Sequence, residues 1–422
     1  MKYAREHHAA RSTQSYVFQQ LIPYIGNKRK LLPLISEAIR ITEILPQDGT
    51  FLDLFAGSGV VSRYAKHLGY RVISNDWEPY AEALNSCFIV CNVPPVLGSG
   101  DTYAETINRL NNLKPIENWI TKHLCPLDDE NYNPQYDRMF YMRKNGMRID
   151  AIRVQIEKWE RSGAITEMQK HCLLAPLLYQ ACYTSNTSGV FKGFHRGWGG
   201  QTKTALYRIA SDLQLQAPIF LDNGKNNAVY REDATALARR LQLGDKAIAY
   251  LDPPYNQHPY GSNYHVLNSI VLWDKPKLSR QISGFGDKSA IRTDWRTERR
   301  SAYNSSKEAA AEYARLLGAI SARWILTSYS TDGNINLDSL VRSSVERGHT
   351  EVVLQGYKRY RVSSTRPSAK PMNVEFVLLT DTSRRATTSA DAIVDKIVDA
   401  ERHVLSIHPE MSQSDAIQEA LF

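Results

Sequence analysis

At 422 residues the chain can build one large or two medium domains around a substantial core, and its 42% hydrophobic and 23% charged content excludes a disordered or fibrous class. The formal net charge of +8, with a pI of about 9.1, favours a polyanionic partner over a neutral one. Five cysteines (Cys87, Cys91, Cys125, Cys172, Cys182), an odd number without paired spacing, argue against a zinc site or a disulfide framework and for reduced thiols. The start, Met1 to His8, is polar and lacks the apolar core of a signal peptide, and no apolar run is long enough to span a bilayer. A cytoplasmic protein without metal is expected.

Lys30 to Ile44 carries Leu31, Leu34, Ile35, Ala38, Ile39 and Ile41 at helical spacing. Thr50 to Phe55 reads as a strand, Ala56-Gly57-Ser58-Gly59 as a glycine turn, Val60 to Leu68 as a helix and Arg71 to Ser74 as the next strand. That order opens a parallel, doubly wound α/β sheet of the Rossmann-like kind. From about 101 to 224 the texture changes to polar helices with clustered charges, ending in a stretch rich in glycine, aromatics and bases at 186–200. Strand patterns then return at Ala228–Tyr230, Ile248–Leu251, Trp324–Thr327 and Val374–Leu379. The expected organisation is a catalytic domain in two parts, 1–100 (cofactor-binding) and 225–382, split by a mainly helical target-recognition module at 101–224. A C-terminal extension, 383–422, follows, with a short helical pattern on a flexible appendage.

The most specific feature is Asp252-Pro253-Pro254-Tyr255, directly after the apolar run Ala247–Leu251. A strand ending in two prolines cannot extend its ladder and leaves carbonyl oxygens without local donors. The carboxylate of Asp252 and a proline carbonyl can accept both hydrogens of an exocyclic amine, while the ring of Tyr255 can stack on the flat base that carries it. A proline-rich turn at a strand end reads the same four residues without chemistry.

Phe55-Ala56-Gly57-Ser58-Gly59 follows a strand and opens a helix, where N–H groups and the helix dipole can receive a polar ligand, although packing alone also asks for glycine there. Asp76, after the next strand, can grip two ribose hydroxyls or stand solvated at a strand end. Asp233 can accept from a cofactor adenine amine or cap the helix expected from Ala234 to Leu241. Pro23-Tyr24-Ile25-Gly26-Asn27-Lys28 precedes the first helix and can equally be a helix-start turn.

In this order the segments resemble the alpha-group, Dam-type DNA N6-adenine methyltransferases. The resemblance spans about residues 20–380 and rests on Pro23 to Lys28, Asp53 to Gly59, Asn75-Asp76, Asp233 and Asp252 to Tyr255. Tyr264-His265-Val266-Leu267 looks like the FokI-type modification methylase branch. The resemblance implies that Tyr24, Lys28, Asp76 and Asp252 contact S-adenosylmethionine, that Phe55, Gly57 and Asp233 line its pocket, and that Asp53 and Gly59 belong to the same cofactor motif. Tyr24 stands where Dam-type enzymes often have Trp, and an aromatic ring is kept.

The implied reaction is methyl transfer to adenine N6 in double-stranded DNA, with the base flipped out of the duplex. It would serve a restriction–modification system beside a separately encoded endonuclease, or an orphan methylase. Cytosine C5 methylation needs a cysteine nucleophile, usually in Pro-Cys, and this chain has only Cys125-Pro126. Cytosine N4 or RNA as substrate, and a catalytically silent DNA-binding specificity subunit, stay open.

For recognition, Lys192, His195, Arg196 and Lys203 can meet phosphates or base edges, and Phe191, Phe194 and Trp198 can wedge into opened DNA or pack in a small core. Arg138, Arg143, Lys144, Arg148, Arg153 and Arg161 read as a basic helical face, much of it solvated. Lys288, Arg292, Arg296, Arg299 and Arg300 read as a basic loop on the DNA backbone.

Overall fold

The computed structural model describes residues 16–98, 100–358 and 372–407; the polar start Met1–His8 lies outside them. The described residues carry β1 (Thr50–Asp53), β2 (Arg71–Asn75), β3 (Ala228–Tyr230), β4 (Gln242–Leu251), β5 (Ser321–Ser330), β6 (His349–Lys358) and β7 (Met372–Asp381). They form two compact units that do not follow the linear chain. One holds described residues of 1–29, 56–231 and 258–300, the other those of 30–55, 232–257 and 301–422.

In the second unit β1, β4 and β5 pair in parallel, with Asp53 opposite Tyr250 and Leu251 opposite Thr327. β7 then pairs antiparallel with β5, and β6 antiparallel with β7. Ala247 to Leu251 and Phe376 to Leu379 are buried without alternation, the pattern of strands covered on both faces. Helix Leu32–Ile41 buries Leu32, Leu34, Ile35, Ala38 and Ile39 and packs on β5, β6 and β7, which confirms the spacing read in its sequence. Helix Ala390–Ile407 lies against β6, β7 and helix Leu337–Arg347 with Ile393 and Ile397 buried, so this part of the tail is packed on the sheet rather than flexible.

In the first unit β2 pairs in parallel with β3, Ile73 opposite Ala228 and Asn75 opposite Tyr230, and helix Val60–Leu68 packs on β2. Between β2 and β3 the described residues hold helices and loops and no strand. Helix Glu167–Tyr183 is the centre of this part, buried on most sides and packed on helices Pro79–Asn85, Arg143–Arg161 and His265–Leu272. Pro176 lies inside it and removes the N–H that would reach the Cys172 carbonyl. That carbonyl instead accepts the Tyr103 hydroxyl at 2.7 Å. Thr166 and Gln169 close a capping box at the helix start. All five cysteines carry free thiols, and no helix among the described residues is long and apolar enough to cross a membrane. The fold is α/β and Rossmann-like with a mainly helical insertion, as the pattern predicts.

Candidate functional site

The first unit builds one group of expected residues around the glycine turn. Gly57 (φ 51°) donates its N–H to Asp76 Oδ2 at 2.8 Å, and Glu78 N–H donates to Asp76 Oδ1 at 2.9 Å. Burial raises the Asp76 carboxyl above its ordinary range, and these backbone donors pull the other way. Gly57 is obligatory for packing, because a Cβ there would lie 2.7 Å from the ring of Tyr24. Gly59, also at positive φ, would strike Asn85 Oδ1. Asn85 fixes the turn by donating to the Gly57 carbonyl at 3.2 Å and the Ala81 carbonyl at 2.9 Å.

Tyr24 is held flat by two rings from the segment beginning at Tyr260. It stacks on Tyr260 (5.1 Å, 18°) and Tyr264 (5.0 Å, 13°), and Tyr80 OH donates to its hydroxyl at 3.2 Å. Ile25 N–H donates to Tyr264 OH at 2.8 Å. Tyr264, noted in the sequence only for its family likeness, is therefore a brace for Tyr24. Lys28 opens the short 3-10 helix Lys28–Leu31 and is buried.

Behind Asp76 the Glu78 carboxylate is buried against Asn268 Nδ2 at 2.6 Å and the Arg299 guanidinium at 3.5 Å. Burial raises it to about 7, with Arg299 and Asn268 opposing. Arg299 also pairs with Asp294 at 2.9 Å, and Arg292 with Asp274 at 2.7 Å and Asp294 at 2.9 Å. Arg292 and Arg299, read as part of a DNA-facing basic loop, are thus taken up by internal pairs. The same holds for Arg138 and Arg153 in the basic helical stretch. Both are buried, Arg138 on Asp287 at 2.8 Å and Arg153 on the Ile270 carbonyl at 2.8 Å.

The second unit holds the other group. Asp252-Pro253-Pro254-Tyr255 leaves β4 without further ladder, and the Tyr255 carbonyl accepts Asn334 N–H at 2.8 Å. The ring of Tyr255 meets Tyr329 edge-on (4.6 Å, 60°), and Tyr329 OH accepts Ile335 N–H at 2.9 Å. Burial, then the charge of Asp252, pushes the Tyr250 and Tyr255 hydroxyls well above their ordinary range; Glu375 acts on both and Asp53 on Tyr250. Asp252 and Glu375 thus act on both the buried Tyr250 and the half-buried Tyr255, and Asp53 on Tyr250 alone. Phe55 lies edge-on to Tyr303 (5.4 Å, 87°), whose hydroxyl is raised by burial and, more weakly, by Asp233. Asp233 Oδ1 accepts Ala236 N–H at 2.9 Å, so the capping role is present. Sequence reasoning missed Tyr329, Asn334 and Glu375; only Glu375 left a signal, as a carboxylate inside the apolar run Val374–Leu379.

The glycine-rich stretch is organised by Asn186. Its Nδ2 donates to the carbonyls of Met139 (3.1 Å), His195 (3.1 Å) and Gly197 (3.3 Å), and its Oδ1 accepts Gly199 N–H at 3.0 Å. Phe191 and Phe194 are buried against Phe140, and Trp198 donates to the Asp129 carbonyl at 2.8 Å beside Tyr132. Phe191 and Phe194 thus pack in a small core, the second of the two readings the sequence allows, while Trp198 stands half-buried beside Tyr132. Lys192 is half-buried, which lowers its ammonium, and its carbonyl accepts Ser289 OH at 2.6 Å. His195 is half-buried with its N–H on the Asn186 carbonyl at 3.0 Å, while Arg196 and Lys203 are exposed.

Comparison with known proteins places residues 24–315 in the family described as D12 class N6 adenine-specific DNA methyltransferase. The chain is 34% identical over 358 residues to the type II methyltransferase M.NlaIII of Neisseria lactamica, covering 84% of this chain and 97% of that one. It is 32% identical over 349 residues to the type II methyltransferase M.FokI of Planomicrobium okeanokoites, covering 80% of this chain and 49% of the other. With M.CviAII of Paramecium bursaria Chlorella virus 1 it shares 30% over 346 residues, 81% of this chain and 93% of that one.

Proposed function

Because the chain belongs to the D12 class of N6 adenine-specific DNA methyltransferases, we propose that it carries the methyl group of S-adenosylmethionine to a sequence-defined adenine in duplex DNA. The observation that carries the residue-level reading is the Asp252–Tyr255 segment, released from β4 with the Tyr255 ring edge-on to Tyr329 and its carbonyl on the Asn334 N–H.

The residues fit the cofactor chemically: its hydroxyl and amine donors call for acceptors, its adenine for rings, and its positive sulfur for negative charge. Asp76, held beside Gly57 by two backbone donors, keeps further acceptor capacity on each oxygen for ribose hydroxyls. Tyr24 and Phe55 supply rings, Asp233 keeps its second carboxylate oxygen outside its helix cap, and Lys28, Asp53 and Gly59 complete the set. When bound, S-adenosylmethionine supplies a methyl group on a sulfonium that leaves as a neutral thioether.

The protein's task is then to make a poor nucleophile competent and hold it in line. Asp252 and a carbonyl of the Pro253-Pro254 segment accept the two hydrogens of adenine N6, drawing its lone pair out of conjugation with the ring. Tyr255, fixed by Tyr329, stacks on the base and offsets part of the few kcal/mol that extrusion costs. The proton leaves to water after transfer, and no covalent bond to the protein forms.

Residues 101–224 serve as the target-recognition module, with Lys192, His195, Arg196 and Lys203 on DNA. The compartment that fits is the cytoplasm, where free thiols stay reduced. A role as the modification partner of a separately encoded endonuclease follows from the similarity to type II methyltransferases.

Incubation with tritiated S-adenosylmethionine and unmethylated genomic DNA, followed by nucleoside analysis, tests this reading. Label is expected in N6-methyladenine, and Asp252→Ala should lower kcat about 10²–10³-fold while DNA affinity is kept. Label in N4-methylcytosine, or an undiminished rate in the variant, would overturn it.

A further inference from the structure

In the first unit, residues 134–136 and 282–288 meet around a cleft of about 530 Å³ that Arg196 also lines. Ile282 N–H joins the two segments by donating to the Tyr136 carbonyl at 2.8 Å. Nearby, the buried guanidinium of Arg138 donates to the Ser279 carbonyl at 2.8 Å and the Asp287 carbonyl at 3.1 Å, and pairs with the Asp287 carboxylate at 2.8 Å. Asp287 in turn accepts the N–H and hydroxyl of Ser283 at 3.1 and 2.9 Å. The loop from Ser279 to Lys288 is therefore tied at several points to one internal charge, and its orientation is fixed before any partner arrives.

This braced loop presents Phe285 with 101% of its reference surface exposed, while Tyr136 on the other segment is 53% exposed. Leaving two large rings in water forgoes the stabilisation their burial would bring, so their company matters. Arg196 and Lys288 line the same cleft, the Lys288 ammonium 5.7 Å above the Phe194 ring. No acidic side chain lines the cleft, the charge of Asp287 is answered by Arg138, and neither Arg196 nor Lys288 has a carboxylate partner among the described residues. Two unpaired cations and two exposed rings complement a polyanion with flat apolar faces.

We infer that this cleft takes a strand of the DNA substrate, with Arg196 and Lys288 on its phosphates and Phe285 stacked on a base. The inference rests on the DNA methyltransferase reading and extends it. It adds 279–288, which follows Asp252 in the chain, to the surface that meets DNA.

The test is fluorescence anisotropy with a duplex carrying the methylated site, run over a salt series, with cofactor binding followed by calorimetry. Phe285→Ala should weaken DNA binding about tenfold, and Phe285→Trp should restore it. Arg196→Ala combined with Lys288→Ala should reduce the slope of log affinity against log salt by about two. Cofactor affinity should be unchanged in all three. Wild-type DNA affinity and salt slope in these variants, from a protein whose parent methylates DNA, would overturn the cleft and leave the enzymatic reading standing. A parent that neither binds nor methylates DNA would overturn both.

Discussion

The glycine turn at 55–59 and the glycine-rich stretch at 186–203 put the same residue to different uses. In the turn, Gly57 is glycine because the ring of Tyr24 fills the place of a side chain, and the freed N–H holds Asp76. In the stretch, Gly193 has nothing within 4 Å of where a Cβ would stand, and the amide of Asn186 ties its carbonyls together beside the packed rings of Phe191 and Phe194. One segment is rigid because its parts fill each other's space. The other is held largely by one buried side chain that satisfies several carbonyls, which leaves Arg196 and Lys203 exposed while Lys192 and His195 are half-buried.

The largest expected effect attacks the amide. Asn186→Ala removes the partner of three carbonyls and one N–H, and should cost about 3 kcal/mol or more in denaturant unfolding. A loss of only a few tenths would mean that the stretch orders itself. Next is Gly57→Ala, which forces a Cβ onto Tyr24 at positive φ; about 2 kcal/mol should be lost, together with cofactor binding in calorimetry. Undiminished cofactor affinity would remove the turn from that role.

Smaller and pH-dependent is Glu78→Gln. The folded-state pKa of Glu78, about 7, lies above its ordinary 4.5, so the native state holds the extra proton and stability from this group falls as pH rises through that window. Thermal unfolding at pH 5 and pH 8 should show the variant gaining on the parent at the higher pH; a constant difference would contradict the burial argument. Smallest is Gly193→Ala, expected within about 0.5 kcal/mol of the parent; a clear loss would show hidden crowding in the stretch.

Much of the fold can be read in the sequence because its signals are local. Val60–Leu68 and Ala228–Tyr230 fall where periodicity and turn residues put them. β6 does not, since His349–Lys358 mixes Glu, Gln and Lys into a strand bonded to β7 alone among the described strands of its unit. The candidate site divides similarly. Asp76 beside Gly57, and Asp252 at a strand end, follow from order along the chain. The support from Tyr264, Tyr329 and Asn334 does not, because those contacts join segments far apart in sequence. Basic runs mislead most: spacing tells which face a guanidinium occupies but not that Asp287, Asp294 or a carbonyl waits there.

Arg138 bears on how such a protein can be re-engineered. Its guanidinium is the anchor for Ser279 and Asp287, so a chimera that imports residues 101–224 from a relative also replaces the anchor of a loop left behind. On the recognition reading, the cassette to move is discontinuous: the compact unit that holds 101–224 also holds 258–300, and a graft of the first alone separates Arg138 from the loop it was built to hold.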